Sequence, residues 1–85
     1  MARYELRVRP SVAKDLRGLP KEDVKRILAH MEALRDDPRP PGAEKLSAQE
    51  RYRVRQGNHR IICGIEEAEA VVAIVKVGHR REVYR

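Results

Sequence analysis

"RYRVRQGNHRII", residues 51–62, sets arginine at alternate positions of one run, then places another arginine just beyond a Gly-Asn pair. A two-residue loop at Gly57-Asn58 folds such a run into a β-hairpin and fixes its register. Gln56 then lies opposite His59, and Arg55 opposite Arg60. Side chains alternate across a strand, so Tyr52, Val54, Ile61 and Cys63 share a face suited to a core. Arg51, Arg53, Arg55 and Arg60 share the other face with Ile62 and Gly64. Like charges set opposite one another destabilise a sheet, so arginine facing arginine calls for a compensating anion. The planar guanidinium fork matches phosphate bidentately. Gly64 keeps that face low, where a backbone can approach. The hairpin reads as one half core and one half charged surface. That surface is either an ordinary solvated face of the sheet or, as the all-arginine choice favours over mixed charge, a phosphate-binding one.

The rest of the chain arranges itself around this hairpin. Downstream, "EEAE" (66–69) makes a turn, and "VVAIVKVG" (71–78) is a third strand, apolar on both faces and therefore interior, ended by Gly78. Upstream, "YELRV" (4–8) alternates as a half-buried strand that Pro10 stops. Ser11 is the expected N-cap of a short helix carrying Val12 and Leu16, broken by Gly18 and Pro20. A second helix opens with Pro20 at its first position, with Glu22 and Asp23 complementing its dipole. Val24, Ile27, Leu28, Met31 and Leu34 form its apolar stripe, which leaves His30 on the solvent side. "DDPRPPG" (36–42) closes it as a stiff loop. The expected architecture is α+β, in the order β-α-α-β-β-β. A largely antiparallel sheet carries a two-helix hairpin packed on one face, and residues 1–85 make a single domain.

Composition agrees with a small nucleic-acid-binding chain. Of 85 residues 41% are apolar, with no Phe and no Trp, so Leu, Ile, Val and three tyrosines must build the core. The net charge of +6 is uneven: residues 1–50 hold 11 Lys/Arg against 9 Asp/Glu, and residues 51–85 hold 8 against 4. A lone Cys63 allows no internal disulfide, and its core-side parity predicts a buried, inert thiol. There is no long apolar run and no signal-peptide pattern, so a cytoplasmic protein with no membrane association is expected. No spacing resembles a metal site and no Gly-rich loop resembles a nucleotide cradle, so neither metal nor small-molecule cofactor is expected.

The second basic cluster follows the third strand: "VGHRREVYR", residues 77–85, gathers His79, Arg80, Arg81 and Tyr84. With "YRVRQGNHRII" before it, this tail resembles the RelE family of bacterial toxins, within the RelE/ParE superfamily. G-[HK]-R followed closely by V-Y carries most of the specificity, while the helical half is generic. The resemblance implies the toxin of a type II toxin–antitoxin pair. It implies a metal-independent endoribonuclease that enters the ribosomal A site and cuts mRNA through the RNA's own 2′-hydroxyl. Its partners would be a cognate antitoxin, the ribosome and mRNA. Carried onto this chain, the resemblance matches the family's functional positions to Arg53, Arg55, Arg60, Arg80 and Tyr84. Arg60, Arg80 and Tyr84 are expected in catalysis, and Arg53 and Arg55, joined by His79 and Arg81 of the basic tail, in RNA binding. Arginines stand where the best-studied members have lysines, and His59 and Cys63 where tyrosines are frequent.

Cleavage through a 2′-hydroxyl needs a proton acceptor, stabilisation of the phosphorane and a donor for the leaving oxygen. Arg53, Arg55, Arg60 and Arg80 can stabilise charge, but arginine stays protonated and is no base. Tyr84, whose phenolate would be favoured by guanidinium groups nearby, and His79 are both candidates for the base. Tyr84 could instead stack on a nucleobase. Two other functions fit the same chain. One is a ParE-like toxin that binds DNA gyrase and does no chemistry, and the other is a basic module that only holds phosphates.

Overall fold

Pro10, which ends the first strand, also begins the first helix. Its fixed φ suits a first helical position, where its missing N–H costs nothing. The N-cap is therefore Arg9 rather than Ser11, and its side chain makes no capping bond. The computed structural model describes residues 3–46 and 51–79. Along the chain run β1 (Glu5–Val8), α1 (Pro10–Arg17), α2 (Lys21–Ala33), β2 (Glu44–Leu46), β3 (Arg51–Gln56), β4 (His59–Glu66), a 3-10 turn (Glu67–Glu69) and β5 (Val71–His79). Pro20 is the N-cap of α2, one position earlier than its expected place.

The fold is α+β, with a sheet of order β1-β5-β4-β3-β2. β1 pairs parallel with β5, and every other pairing is antiparallel. The expected order lacks one strand. β2 pairs with the start of β3, setting Glu44 beside Arg53 and Lys45 beside Tyr52. Its three residues are too few to show alternation, and they follow directly on the Pro-rich loop. The hairpin register is the expected one, with Gln56 on His59 and Arg55 on Arg60. β5 is an interior strand, as its apolar run predicts, and it continues through Gly78 to His79 instead of stopping at the glycine. Between Ile62 and Cys63 the β4–β5 register slips by one residue, a bulge that leaves Val75 without an opposite number.

Val12 of α1, Ile27 and Met31 of α2, and Leu34 at the C-cap of α2 pack on Val54, Ile61, Cys63, Val72, Ile74 and Val77. Tyr52 packs against the rim of this core. The α2 stripe is narrower than its spacing suggests, because Leu28 stays 49% exposed. Leu28 sits about 100° round the helix from Ile27, off the line running through Met31 and Leu34. Past the end of β1, the Val77 N–H donates to Asp15 Oδ2 at 3.1 Å, so α1 satisfies a strand group that β1 does not reach. Opposite the core edge, the Tyr4 hydroxyl donates to Glu67, which also pairs with Arg39, and the Arg39 guanidinium lies 5.0 Å from the centroid of the Tyr52 ring. These contacts staple the Pro-rich loop to the sheet. The Tyr4 hydrogen bond, followed by Arg39, holds the Glu67 carboxyl below its ordinary range.

Candidate nucleic-acid interface

With the helices on one face, the alternation of β3 and β4 sends Arg53, Arg55 and Arg60 to the other. Gly57, at φ +60°, makes the turn between these strands; this is the conformation that a two-residue loop requires of its first residue. The loop before β2 folds back over this face, with Gly42 at φ +91°. Together they enclose a concavity of about 720 Å³ lined by Pro41, Gly42, Glu44, Arg53, Arg55, Gly57, Asn58 and Arg60.

The three arginines are not equivalent. The Arg53 side chain is only 14% exposed, and its Nη2 donates to Glu44 Oε2 at 2.7 Å. Arg55 is exposed at the hairpin tip. Arg60 is partly buried, and its Nη1 is buried with no hydrogen-bond partner among the described residues. Its cross-strand neighbours explain the orphan. On one side stands Arg55, a like charge, and on the other Gly78, which has no side chain. A buried guanidinium N–H without an acceptor costs about 1–3 kcal/mol, so the fold keeps Arg60 at a loss that an anion in the concavity would cancel.

Glu44 is the residue that sequence reasoning missed. The arginine face looked free of negative charge, but the unforeseen strand β2 brings a carboxylate onto it. A helical or loop reading of "GAEKL" gives no hint of that position. Of the side chains lining the concavity, Glu44 is the only acidic one.

The histidines fall elsewhere. His79 pairs across the strands with His59 on the core side of the sheet, and the two rings meet edge to face with centroids 5.9 Å apart. β5 does not bring His79 to the arginine concavity. His59 is 8% exposed, as its core-side parity predicts. His30 is not on the solvent side: its Nδ1 lies 2.8 Å from Gln56 Oε1, partly buried against the hairpin. Cys63 is buried, and desolvation pushes its thiol up to about 11, so it is a poor nucleophile. Among the described residues no group of His, Cys, Asp and Glu could hold a metal ion, and no helix is long and apolar enough to cross a membrane. Arg80, Arg81 and Tyr84 lie outside the described residues.

The sequence profile of a family described as the ParE toxin of type II toxin–antitoxin systems, parDE, matches residues 6–84. No curated protein shows significant similarity to the sequence. The RelBE2 toxin–antitoxin complex of Mycobacterium tuberculosis contains a chain of the same fold, with TM-score 0.80 and 22% identity, over 92% of this chain and 99% of that one. A chain of the archaeal RelE–RelB complex from Pyrococcus horikoshii OT3 superposes with TM-score 0.79 and 26% identity, over 93% and 97% respectively. A mutant of the E. coli toxin RelE in its free state matches with TM-score 0.79 and 19% identity, over 99% and 92%.

Proposed function

Because the chain belongs to the ParE family of type II toxin–antitoxin toxins, within the RelE/ParE superfamily, we propose that it is a toxin acting as a metal-independent endoribonuclease. Residues 1–85 act as one toxin domain in the cytoplasm, held in check by a cognate antitoxin and directed at mRNA in the ribosomal A site. The observation that carries this reading is the buried Nη1 of Arg60, unpartnered among the described residues, in a concavity it shares with Arg53 and Arg55. Such a group suits a phosphate oxygen, which accepts from guanidinium more strongly than a neutral carbonyl does.

The reaction asks little else of the protein. The 2′-oxygen attacks its adjacent phosphorus, losing its proton to a base. The bond to the 5′-oxygen breaks, and that oxygen takes a proton, leaving a 2′,3′-cyclic phosphate and a free 5′-hydroxyl. Arg60, with Arg55 beside it, stabilises the extra charge on the phosphorane. Arg53 positions the strand and Arg80 adds a further cation. Arg81 and His79 are assigned to RNA binding, His79 from the core side of the sheet. The proton acceptor comes from Tyr84 or from Glu44, which already stands in the cleft; His79, on the core side of the sheet, faces away from it.

A second reading has its own support, since the matching profile is that of ParE toxins; it makes the protein a non-enzymatic inhibitor of DNA gyrase. One experiment separates the two. Purified protein is added to ribosomes paused on a defined mRNA, new 5′ ends are mapped by primer extension, and gyrase supercoiling is followed in parallel. Cuts in the A-site codon that vanish with Arg60→Ala and Tyr84→Phe support the ribonuclease. Intact mRNA together with blocked supercoiling overturns it in favour of gyrase.

A further inference from the structure

The arginine concavity contains one feature that a plain phosphate-binding surface would not: a carboxylate. Glu44 stands on β2 directly beside Arg53, and its side chain is 66% exposed, so no packing obliges an acid here. An exposed ion pair of this kind adds little to stability, typically about 0–1 kcal/mol. Its effect on ligands is larger, because it decides which guanidinium groups still have unmet demand. Arg53 already donates to an anion, whereas Arg60 has a buried N–H with no acceptor among the described residues.

We propose that Glu44 is the specificity element of the cleft: by holding Arg53 in an ion pair it leaves Arg60, with Arg55, as the seat of a single phosphate of single-stranded RNA. The inference rests on reading the cleft as a nucleic-acid phosphate site, and it adds a rule of engagement to that reading. A phosphate approaching the Arg53 end meets a carboxylate and must displace it. A hydroxyl or amino group approaching there finds an acceptor. The cleft therefore takes one phosphate at the hairpin end and a hydrogen-bond donor at the β2 end. It disfavours a polyanion laid along all three arginines, and so limits indiscriminate retention of nucleic acid by a chain of net charge +6.

The test measures binding without chemistry. A fluorescent ten-nucleotide RNA, 2′-O-methylated at every position, has no free nucleophile and stays intact with or without a competent active site. Its affinity is measured without ribosomes across a salt series for wild type, Glu44→Gln, Glu44→Ala, Arg60→Ala and Glu69→Gln. Glu69 lies in the exposed 3-10 turn and makes the same change in net charge away from the cleft. Removing the carboxylate that competes for Arg53 raises affinity about fivefold or more near 50 mM salt, and steepens the log–log salt slope by about 0.7. Both Glu44 variants show this, Glu69→Gln does not, and Arg60→Ala weakens binding. Equal gains from Glu44→Gln and Glu69→Gln would reduce the effect to net charge and overturn the proposal. Weaker binding by the Glu44 variants, or no binding by any protein at low salt, would overturn it too. Because the probe cannot be cut and gyrase is absent, none of these results depends on whether the ribonuclease reading succeeds.

Discussion

Replacing Arg60 by methionine should make the protein more stable while disabling it. Methionine keeps the length of the buried stem but removes the guanidinium. Two penalties disappear with it. The first is the buried Nη1 without an acceptor, worth about 1–3 kcal/mol. The second is the like-charge pairing with Arg55 across the hairpin, worth about 0.2–1 kcal/mol. Loss of the remaining guanidinium contacts with solvent offsets part of this, so the expected gain is about 1.5 kcal/mol. For a chain of this size that corresponds to a rise in Tm of roughly 6–12 °C. Urea and thermal denaturation followed by circular dichroism measure it directly. Inorganic phosphate adds a second readout: it should raise the Tm of wild type and leave Arg60→Met unmoved, since only the wild type has a seat for the anion. The reasoning fails if Arg60→Met melts at or below the wild-type temperature, or if phosphate stabilises both proteins equally.

Two further predictions concern the parts that hold the cleft in shape. Glu67, whose pKa is lowered by its hydrogen bond from Tyr4 and then by Arg39, contributes stability that is complete above its unfolded pKa of ~4.3 and lost as pH falls through the lower folded value. Wild type should therefore exceed Glu67→Gln in Tm at pH 7, with the two curves converging below about pH 4, and a gap that stays constant down to pH 3 would contradict the staple. Ala70, at φ 53° and ψ 54°, holds a left-handed conformation with its N–H on Glu67 and its carbonyl accepting from Glu5. Ala70→Gly relieves about 1–2 kcal/mol of backbone strain and costs about 0.4–1 in unfolded-state entropy, so a net gain near 0.5–1 kcal/mol should appear in urea titration, and a net loss would show that the strain is not there.

How far the sequence announces this structure depends on whether a feature is set by neighbours along the chain or by distant ones. The hairpin is local: Gly57-Asn58 fixes the turn, the turn fixes the register, and the register sorts arginines from core residues, all as observed. Cys63 and His59 follow from the same parity. The α2 stripe is nearly right, and Leu28 fails because a helical repeat does not say how wide the facing sheet is. β2 could not be read, since three residues carry no period and their pairing is decided by where the Pro-rich loop returns. Glu44 was lost with it, and so was the distinction between Arg53 and Arg60. His30 was misplaced for a related reason, because only the packed hairpin brings Gln56 within reach.

The bulge in β5 settles which side chains stand on which face over the second half of that strand. Before it, Val72 and Ile74 point to the core; after it, Val77 and His79 do, and the even-odd rule has changed sign in between. Val75 acts as a spacer in the phase of the strand, much as a single inserted base resets a reading frame. Without it, the stretch past residue 75 would present Lys76 and Gly78 to the helices and turn Val77 and His79 toward the arginines. A side chain would then stand beside Arg60 where Gly78 now leaves room. The openness of the anion seat on β4 is thus inherited from one unpaired valine on its neighbour.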